Sequence, residues 1–412
     1  KATENGTDVY YFAGGDRTLG GECTYNGNAV MYFDGTNIAS INNKNQCLSS
    51  KVCTADGEYV VGEIVTEDFC TSEGAEWTGE NATWYEDGSI TVNNWVKFGK
   101  YQNDLIKYKG YYSTESADSL FLNKDFSTME ECTSDSTFNK NCTEVKYYSA
   151  GDDMYWRIIR TNADGSIRLL YSGTSPDTTT GYIGTTAFSM NGDSPKYLGY
   201  MYGDTDATLD EARTNTNDSL VKTFVDNWYE NNFTAYTNYL SNDAIYCNYR
   251  ELASGFTYTN GTTQEDMVYF KSSDRLNKDK QPTYDCTNTK DAFSGNNSEA
   301  KLKYPVALMT ADELAYAGSI FKSNNKINLW FDMNSQYNTI AANTFWWTST
   351  PYYYQYTEFY SVLTTANGIF DVAHYKYNLG VRPVTSLKSC VQWKSGNGSA
   401  TSPYEIALNG GC

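Results

Sequence analysis

Residues 346–351 read WWTSTP and run into YYYQYTEFYSVLTTANGIFDVAHYKYN (352–378), which is followed by LGVRPVTSL (379–387). Tyrosine, phenylalanine, valine and threonine favour strands, and they make up much of this stretch. Asn367-Gly368 separates two such runs, and this pair readily adopts the positive φ angles of tight hairpin turns. The stretch therefore predicts antiparallel strands joined by hairpins.

The tyrosines of this stretch are the first candidates for a binding surface. Side chains alternate between the two faces of a strand, so the three tyrosines directly after Pro351 cannot all point into one core. Tyrosine combines a large, rigid contact area with a hydroxyl group, which suits ligand contact. The alternative is that they cover a half-buried sheet, because the whole chain contains 37 tyrosines. The tyrosines concerned are Tyr352, Tyr353, Tyr354, Tyr356, Tyr360, Tyr375 and Tyr377.

The run IFDVAHYKYN (369–378) also predicts which side chains face inward. Its apolar residues Ile369, Phe370 and Val372 are expected on the inward side near the turn. The other side then holds Asp371, Ala373, Tyr375 and Tyr377, while His374 and Lys376 follow the inward parity or lie at a bulge.

Three further elements are predicted elsewhere in the chain. The segment MYWRIIRTNADGSIRLLY (154–171) is typical of a β-hairpin with a glycine-containing turn. Ser219 can cap a helix in LVKTFVDNWYENNF (220–233), where apolar residues recur at helical spacing. Thr310 and Glu313 form a capping box at the start of a second, shorter helix.

Ten cysteines without CxxC spacing predict an extracytoplasmic disulfide framework, with reduced buried thiols as the alternative. We expect a disulfide between Cys132 and Cys142 to close a polar insertion. A second, between Cys247 and Cys286, should link the loop-rich stretch 235–300. The other cysteines are Cys23, Cys47, Cys53 and Cys70 in the N-terminal part, where three pairings are open, and Cys390 and Cys412 near the C-terminal end.

The charge of the chain bears on its partners. The formal net charge is −19, so the chain is expected to repel nucleic acid and anionic membrane surfaces. No apolar run approaches the roughly 18–20 residues that span a bilayer, and no signal-type segment opens the chain, so we expect no direct membrane insertion.

The pattern of predicted strands, helices and turn residues divides the chain into three parts. Residues 1–92 carry short strand-like pieces bounded by Gly, Asn and Asp, which predicts a small disulfide-linked β-rich module. Residues 93–390 are predicted to form an α+β domain with an insertion at 101–152. Residues 391–412 are expected to be a C-terminal extension.

The order of these motifs resembles that of C-type-lectin-like domains of bacterial surface proteins. The resemblance rests on WVKFGK (95–100), the hairpin at 154–171, the two helices, FWWTSTPY (345–352) and LGVRPVTSLKS (379–389), and it covers roughly residues 93–390. Members include variable proteins diversified by retroelements and lectin-like domains of pilin-like proteins. The fold implied is α+β, with a twisted antiparallel sheet and two helices.

The resemblance also implies a binding face between the tryptophan-rich strand and the closing strand. In retroelement-diversified members, this region carries the varied positions, and tyrosine, aspartate, threonine, histidine and serine arise there from adenine-rich asparagine codons. Carried over, the candidate ligand-binding residues are Tyr352, Tyr353, Tyr354, Gln355, Tyr356, Glu358, Tyr360, Asp371, His374, Tyr375, Tyr377 and Asn378.

The sequence gives little support for catalysis or metal binding. The triplets that bind calcium in calcium-dependent lectins are missing, and clustered carboxylates at 151–154 and 203–212 are expected in solvated loops or at a helix start. His374 is the only histidine and is interpreted as a contact residue. We expect no enzyme activity, metal or cofactor. Trp156, Trp346 and Trp347 are expected in the core, and Arg382 in an internal ion pair or bonded to carbonyl oxygens.

These observations favour an extracellular, adhesin-like protein, displayed on a bacterial surface or secreted. Its Tyr-rich face would bind a protein or glycan ligand on another surface. The alternative is a structural subunit of a bacterial surface filament or pilus, in which the chain assembles with copies of itself.

Overall fold

A computed structural model describes residues 1–11, 92–112, 123–176, 178, 181–189, 194–201, 208–258, 267–319, 345–355 and 372–408. It also gives the backbone of the strands between residues 22 and 85 and of residues 320–321, 358–364 and 369–371. In these parts the chain is a mixed α+β protein with many strands and few helices.

The chain forms two compact units. One comprises residues 15–91, and the other comprises residues 1–14 together with 92–412. The sequence had grouped the first 14 residues with the small module and had set 391–412 apart as an extension. Both segments instead belong to the larger unit, because Tyr11 forms a β-bridge with Arg160 and strand 404–406 lies beside strand 95–100.

The strands are short, as expected from the frequent turn residues. In chain order they are β1 (Ala2–Glu4), β2 (Thr7–Val9), β3 (Glu22–Tyr25), β4 (Asn28–Ala29), β5 (Met31–Phe33), β6 (Ile38–Ser40), β7 (Lys51–Ala55), β8 (Glu58–Gly62), β9 (Glu76–Asn81), β10 (Thr83–Tyr85), β11 (Trp95–Lys100), β12 (Leu105–Tyr111), β13 (Asn123–Phe126), β14 (Lys140–Tyr148), β15 (Asp153–Thr161), β16 (Ile167–Tyr171), β17 (Thr185–Thr186), β18 (Tyr246–Cys247), β19 (Met267–Tyr269), β20 (Ala292–Phe293), β21 (Val306–Leu308), β22 (Ile320–Phe321), β23 (Trp346–Gln355), β24 (Glu358–Thr364), β25 (Ile369–His374), β26 (Leu379–Gly380), β27 (Pro383–Leu387), β28 (Trp393–Ser395) and β29 (Tyr404–Ile406).

The smaller unit contains two described sheets, ordered β10-β3-β4 and β6-β5-β8-β7-β9. This agrees with the prediction of a β-rich module. The disulfides expected among Cys23, Cys47, Cys53 and Cys70 lie outside the described side chains.

The larger unit is built on two large sheets. The first, here called the main sheet, has the order β21-β27-β16-β15-β11-β29-β28 and is antiparallel except where β29 runs parallel to β11. The second, here called the aromatic sheet, has the order β17-β26-β23-β24-β25-β22, with β19 also paired to β23. The predicted hairpin at 154–171 is β15–β16, and Gly165 takes a φ of +80° in its turn. The strands on either side of Asn367-Gly368, β24 and β25, pair antiparallel as predicted, while the turn itself lies outside the described residues.

The insertion predicted at 101–152 forms its own small sheet, ordered β13-β12-β14. The predicted disulfide Cys132–Cys142 links helix α1 (Met129–Ser134) to β14 and is confirmed. The predicted disulfide Cys247–Cys286 is confirmed as well. Cys390 is also disulfide-bonded, and Cys412 lies outside the described residues.

The two predicted helices begin where their caps indicate. Helix α2 (Leu209–Ala212) precedes α3 (Leu220–Asn232), and Ser219 accepts a hydrogen bond from the backbone of Lys222 at the start of α3. Helix α4 (Lys271–Ser273) continues into a single π-helical turn, Asp274–Lys278. Helix α5 (Ala311–Tyr316) has the predicted capping box between Thr310 and Glu313. Two 3-10 turns, Pro195–Tyr197 and Thr234–Tyr239, lie before and after α2 and α3.

One core joins the two sheets and α3. Val221, Val225 and Trp228 of α3 are buried in it, while Phe224 is half-buried against it. Each fully buried aliphatic side chain of this kind stabilises the fold by about 1.5–3 kcal/mol. The tryptophans expected in the core, Trp156, Trp346 and Trp347, are all buried. Arg382 is buried too and donates to the carbonyl oxygen of Tyr171, as expected.

A network of four buried charges ties distant parts of the larger unit together. Glu313 of α5 accepts from Arg160 Nε at 2.8 Å and from Arg168 Nη1 at 2.6 Å. Glu4 of β1 accepts from Arg160 Nη2 at 2.9 Å. All four side chains are at most 3% exposed. The network therefore joins the N-terminal hairpin, two strands of the main sheet and a helix start.

The charges of this network set the protonation of Glu313. Burial alone would raise the pKa of its carboxyl, but the charges of Arg168 and Arg160 outweigh burial and lower the pKa to about 2. A carboxyl whose pKa is lower in the folded than in the unfolded state stabilises the fold above its ordinary pKa of 4.5. That contribution is lost as the pH falls from about 4.5 towards 2.

We predict that Glu313→Gln destabilises the protein by about 3–5 kcal/mol at pH 7, because it leaves buried guanidinium charge unpaired. Urea denaturation of the wild type and the variant measures this loss. The difference between the two should shrink as the pH falls from 4.5 towards 2. Glu230→Gln is the control, since Glu230 forms an exposed pair with Lys303 and its loss should leave the midpoint unchanged. A pH-independent difference would contradict the assignment.

Candidate ligand-binding face

A row of aromatic residues crosses the aromatic sheet. Tyr269 of β19 lies opposite Tyr353 of β23, Tyr353 lies opposite Tyr360 of β24, and Tyr360 lies opposite His374 of β25. Residues directly opposite each other on neighbouring strands share a face of the sheet. The register therefore places one aromatic residue from each of four strands in a single row across one face of the sheet.

The neighbouring positions extend this row into a surface. Gln355 lies opposite Met267, two residues along from the row on both strands. Val372 precedes His374 by two residues on β25 and shares its face. The described side chains of this surface, here called the aromatic face, are each half-buried: Met267, Tyr269, Tyr353, Gln355, Val372 and His374.

The opposite side of the same strands points into the core. Val268, Tyr354 and Ala373 alternate with members of the aromatic face and are buried, with Tyr354 fully enclosed. The aromatic sheet is thus covered on one side and partly open on the other, as the two-residue period of a strand requires. Only the open side offers side chains to a ligand.

Ring contacts organise both ends of the aromatic face. Tyr353 and Tyr269 lie 5.9 Å apart between ring centres, and Phe256 extends the cluster beyond Tyr269 at 5.7 Å. At the other end, His374 stacks on Tyr375 at 4.5 Å and contacts Tyr377 at 5.5 Å. Such aromatic pairs contribute about 0.5–1.5 kcal/mol beyond the area they bury. They restrain the positions of the half-buried rings.

The predicted binding residues fall into three groups. Tyr353, Gln355 and His374 belong to the aromatic face, and Tyr377 and Asn378 are half-buried next to it. Tyr352, Tyr354 and Tyr375 are buried, so their side chains contribute to the core. The backbone register is known for Glu358, Tyr360 and Asp371, and Tyr356 lies outside the described residues.

Burial of Tyr352 has a specific cause. The chain just after β19 packs over it: the backbone of Phe270 donates to the carbonyl oxygen of Tyr352 at 3.1 Å, and Ser272 donates to that of Pro351. Burial accordingly raises the pKa of the Tyr352 hydroxyl. Of the three consecutive tyrosines, Tyr352 and Tyr354 are buried and only Tyr353 is half-exposed. This agrees with the alternation of side chains between the two faces of a strand.

The expected orientation of β25 is reversed where its side chains are described. Val372 was predicted to face inward and Ala373 outward, yet Ala373 is buried and Val372 is half-buried on the aromatic face. The register explains this, since Ala373 lies opposite Ser361 whereas His374 lies opposite Tyr360 and, across β24, Tyr353. Asp371 shares the parity of Ala373 on β25. Apolar character alone was a poor guide because both faces of this strand carry apolar residues.

Sequence reasoning missed β19, which supplies Met267 and Tyr269. The stretch 235–300 was interpreted as loop-rich, and a strand of three residues pairs with the edge of β23 within it. A local signal was present: Val268 and Phe270 alternate with Met267 and Tyr269. Such a short alternation cannot by itself show which strand it joins.

A cleft lies beside the Cys247–Cys286 disulfide. This cleft has a volume of about 190 Å³ and polar walls. Its cations are already matched within the protein: Lys271 pairs with Glu251, and Arg275 holds Asp312 through Nε and Nη2 at 2.6 and 2.7 Å. The cleft is therefore a weaker candidate for ligand binding than the aromatic face.

Neither a metal-binding cluster nor a membrane-spanning helix is found in the described ranges. Within them, no three His, Cys, Asp or Glu side chains come together in a group that could hold a metal ion. Asp153, in the acidic segment considered for calcium, pairs with Lys100 at 2.6 Å. No helix in the described part of the chain combines the length and apolar composition that crossing a membrane requires.

The chain was also compared with known proteins. No protein-family model matches it, and no curated protein and no solved structure matches it. The geometry of its own residues therefore carries the functional argument.

We predict that two adjacent tyrosines differ sharply in their contribution to stability. Tyr354→Ala should cost about 3–5 kcal/mol, because it empties an enclosed site in the core. Tyr353→Ala should cost about 1 kcal/mol, because this ring is half-exposed and loses mainly cross-strand contacts. Chemical denaturation of both variants tests the assignment of faces. Equal losses would show that β23 is not buried on one side and open on the other.

Proposed function

We propose that this chain is an extracellular ligand-binding protein of the adhesin type. In this proposal, a C-type-lectin-like domain presents the aromatic face to a protein or glycan on another surface, on a bacterial cell or as a secreted protein. The observation that carries the proposal is the set of half-buried rings of Tyr269, Tyr353 and His374 on the open side of the aromatic sheet, which the backbone position of Tyr360 joins into one cross-strand row. Rigid, half-exposed aromatic rings on a sheet are suited to recognition because little side-chain entropy is lost on binding.

Several features of the larger unit support this role. Its confirmed disulfides, Cys132–Cys142 and Cys247–Cys286, are typical of proteins that work in an oxidising environment outside the cytoplasm. Two capped helices pack with antiparallel sheets, and the closing strand β27 begins at Pro383, the last residue of LGVRP (379–383), as in the family that the sequence resembles. The net charge of −19 disfavours nucleic acid as the ligand.

A second candidate, a subunit of a surface filament, is favoured by one edge of the main sheet. Strand β28 is the last strand at that edge, all three of its residues are exposed, and Trp393 is 60% exposed. An exposed edge strand can pair with a strand of another copy. The two candidates use different surfaces, so one binding experiment separates them.

We predict that binding depends on the aromatic face. The wild-type chain would be applied to arrayed glycans, arrayed extracellular protein domains and an immobilised copy of the chain itself. Tyr353→Ser and His374→Ser should each weaken binding to the ligand by at least about tenfold, because central aromatic contacts dominate binding free energy. Tyr10→Ser, a change at an exposed tyrosine outside the face, is the matched control and should bind as the wild type does.

Two results would contradict the adhesin proposal. The first is full binding by a Tyr269→Ser, Tyr353→Ser double variant that remains folded. The second is binding to the immobilised copy alone, lost in Trp393→Ser but retained in Tyr353→Ser. That second pattern would favour the filament subunit.

Retroelement diversification of this face makes a separate prediction about natural sequence variation. Substitutions at adenine positions should fall on Tyr353, Gln355 and His374, whose side chains can meet a ligand. They should be rare at Tyr354 and Ala373, where they would damage the core. Sequencing the coding region for residues 340–385 across the source population measures both frequencies. Uniform sequences, or equal variation at open and buried positions, would exclude diversification of this face.

A further inference from the structure

The small sheet of the insertion contains a buried lysine that faces a buried aspartate. Lys109 of β12 and Asp125 of β13 lie directly opposite each other in the antiparallel register. Both side chains are 9% exposed, and Lys109 Nζ is 3.6 Å from Asp125 Oδ1. Lysine is rarely buried to this degree, because removing an ammonium group from water is costly unless it is well paired.

The pairing of the two groups is incomplete. Asp125 Oδ1 has no hydrogen-bond partner among the described residues, although it is enclosed. The other oxygen, Oδ2, is held firmly, since it accepts from the hydroxyl of Tyr147 and from Thr185 Oγ1 at 2.7 Å. The two carboxyl oxygens are therefore unequal: one is bonded twice by hydroxyl donors, and the other points to an amine.

Lys109 is enclosed by two tyrosine rings and largely removed from water. Its Nζ lies 5.7 Å from the ring centre of Tyr147 and 5.8 Å from that of Tyr182. Burial lowers the pKa of Lys109 and outweighs the opposing effect of the Asp125 charge. A desolvated lysine amine is a nucleophile, as in enzymes that use lysine for covalent chemistry.

We propose that Lys109 and Asp125 are joined by an intramolecular amide bond that forms after folding. In the low-dielectric site a proton passes from the ammonium group to Oδ1, which gives an amine beside a carboxylic acid. The Nζ lone pair attacks Asp125 Cγ, and the new N–C bond forms. The Cγ–Oδ1 bond then breaks, and Oδ1 leaves as water with its own proton and one proton from the amine.

The two hydroxyl donors have a specific part in this reaction. Tyr147 and Thr185 bond Oδ2, the oxygen that stays as the amide carbonyl and carries negative charge during the attack. Donors fixed at such an oxygen stabilise the charge as it develops. The strand register supplies the second requirement, because it places Lys109 directly opposite Asp125 and holds Nζ 3.6 Å from Oδ1. No oxidant or further reactant is needed.

Intact mass spectrometry tests this proposal directly. The purified full chain would be denatured with every disulfide reduced, so that disulfides no longer affect the mass. The expected mass is that of the sequence less one molecule of water. Fragmentation of a proteolytic digest should then locate a branch that links Lys109 to Asp125.

Variants define the outcome further. Lys109→Arg and Asp125→Ala should each restore the full mass, whether or not they fold well, because neither can form the bond. Lys124→Ala is the matched control: Lys124 lies on the same sheet and pairs with Asp135 at 3.1 Å, so this variant should keep the missing water. A wild-type chain of full mass would overturn the proposal and leave a buried ion pair only. So would a missing water that persists in Lys109→Arg or that maps to an unbranched peptide.

Discussion

The buried pairing of Glu313 with Arg160 and Arg168 is the interaction on which the larger unit depends. Glu313 serves two purposes at once, since its backbone and side chain also close the capping box with Thr310. The start of α5 is therefore fixed to the main sheet by charge as well as by packing. Glu4 adds the N-terminal hairpin to the same network. Each member is buried, so each depends on the others to offset the cost of leaving water.

This framework also explains why the aromatic sheet has one buried side and one partly open side. The helix α5 and the main sheet cover one side, where Ala311 donates its backbone N–H to Thr350 and Ser349 donates to the carbonyl of Met309. The alternate positions are left for the aromatic face. Rigid support on one side is what allows a few half-exposed rings on the other to hold a defined shape.

Local patterns were enough to predict the parts of the fold that local interactions determine. The hairpin at 154–171, the caps at Ser219 and Thr310 and the disulfides at 132–142 and 247–286 all follow from residues close together in sequence or from simple pairing. The charge network joins residues about 150 positions apart, and no local signal connects Glu313 to Arg160. The membership of the aromatic face also depended on distant pairing: β19 joins β23 across more than 70 residues, and the register of β24 with β25 decides which side Ala373 takes.

The larger unit is made of two separate segments of the chain, and this has a mechanical consequence. Residues 1–14 and 92–412 form one body, while residues 15–91 leave it and return to it. A pulling force applied between the hairpin β1–β2 and the strand β29 is borne by the contacts of the larger unit. The small β-rich unit lies outside that load path, so it carries no tension while β1 and β2 stay attached. A chain built in this way can bear a load across its larger unit without unfolding its smaller unit first.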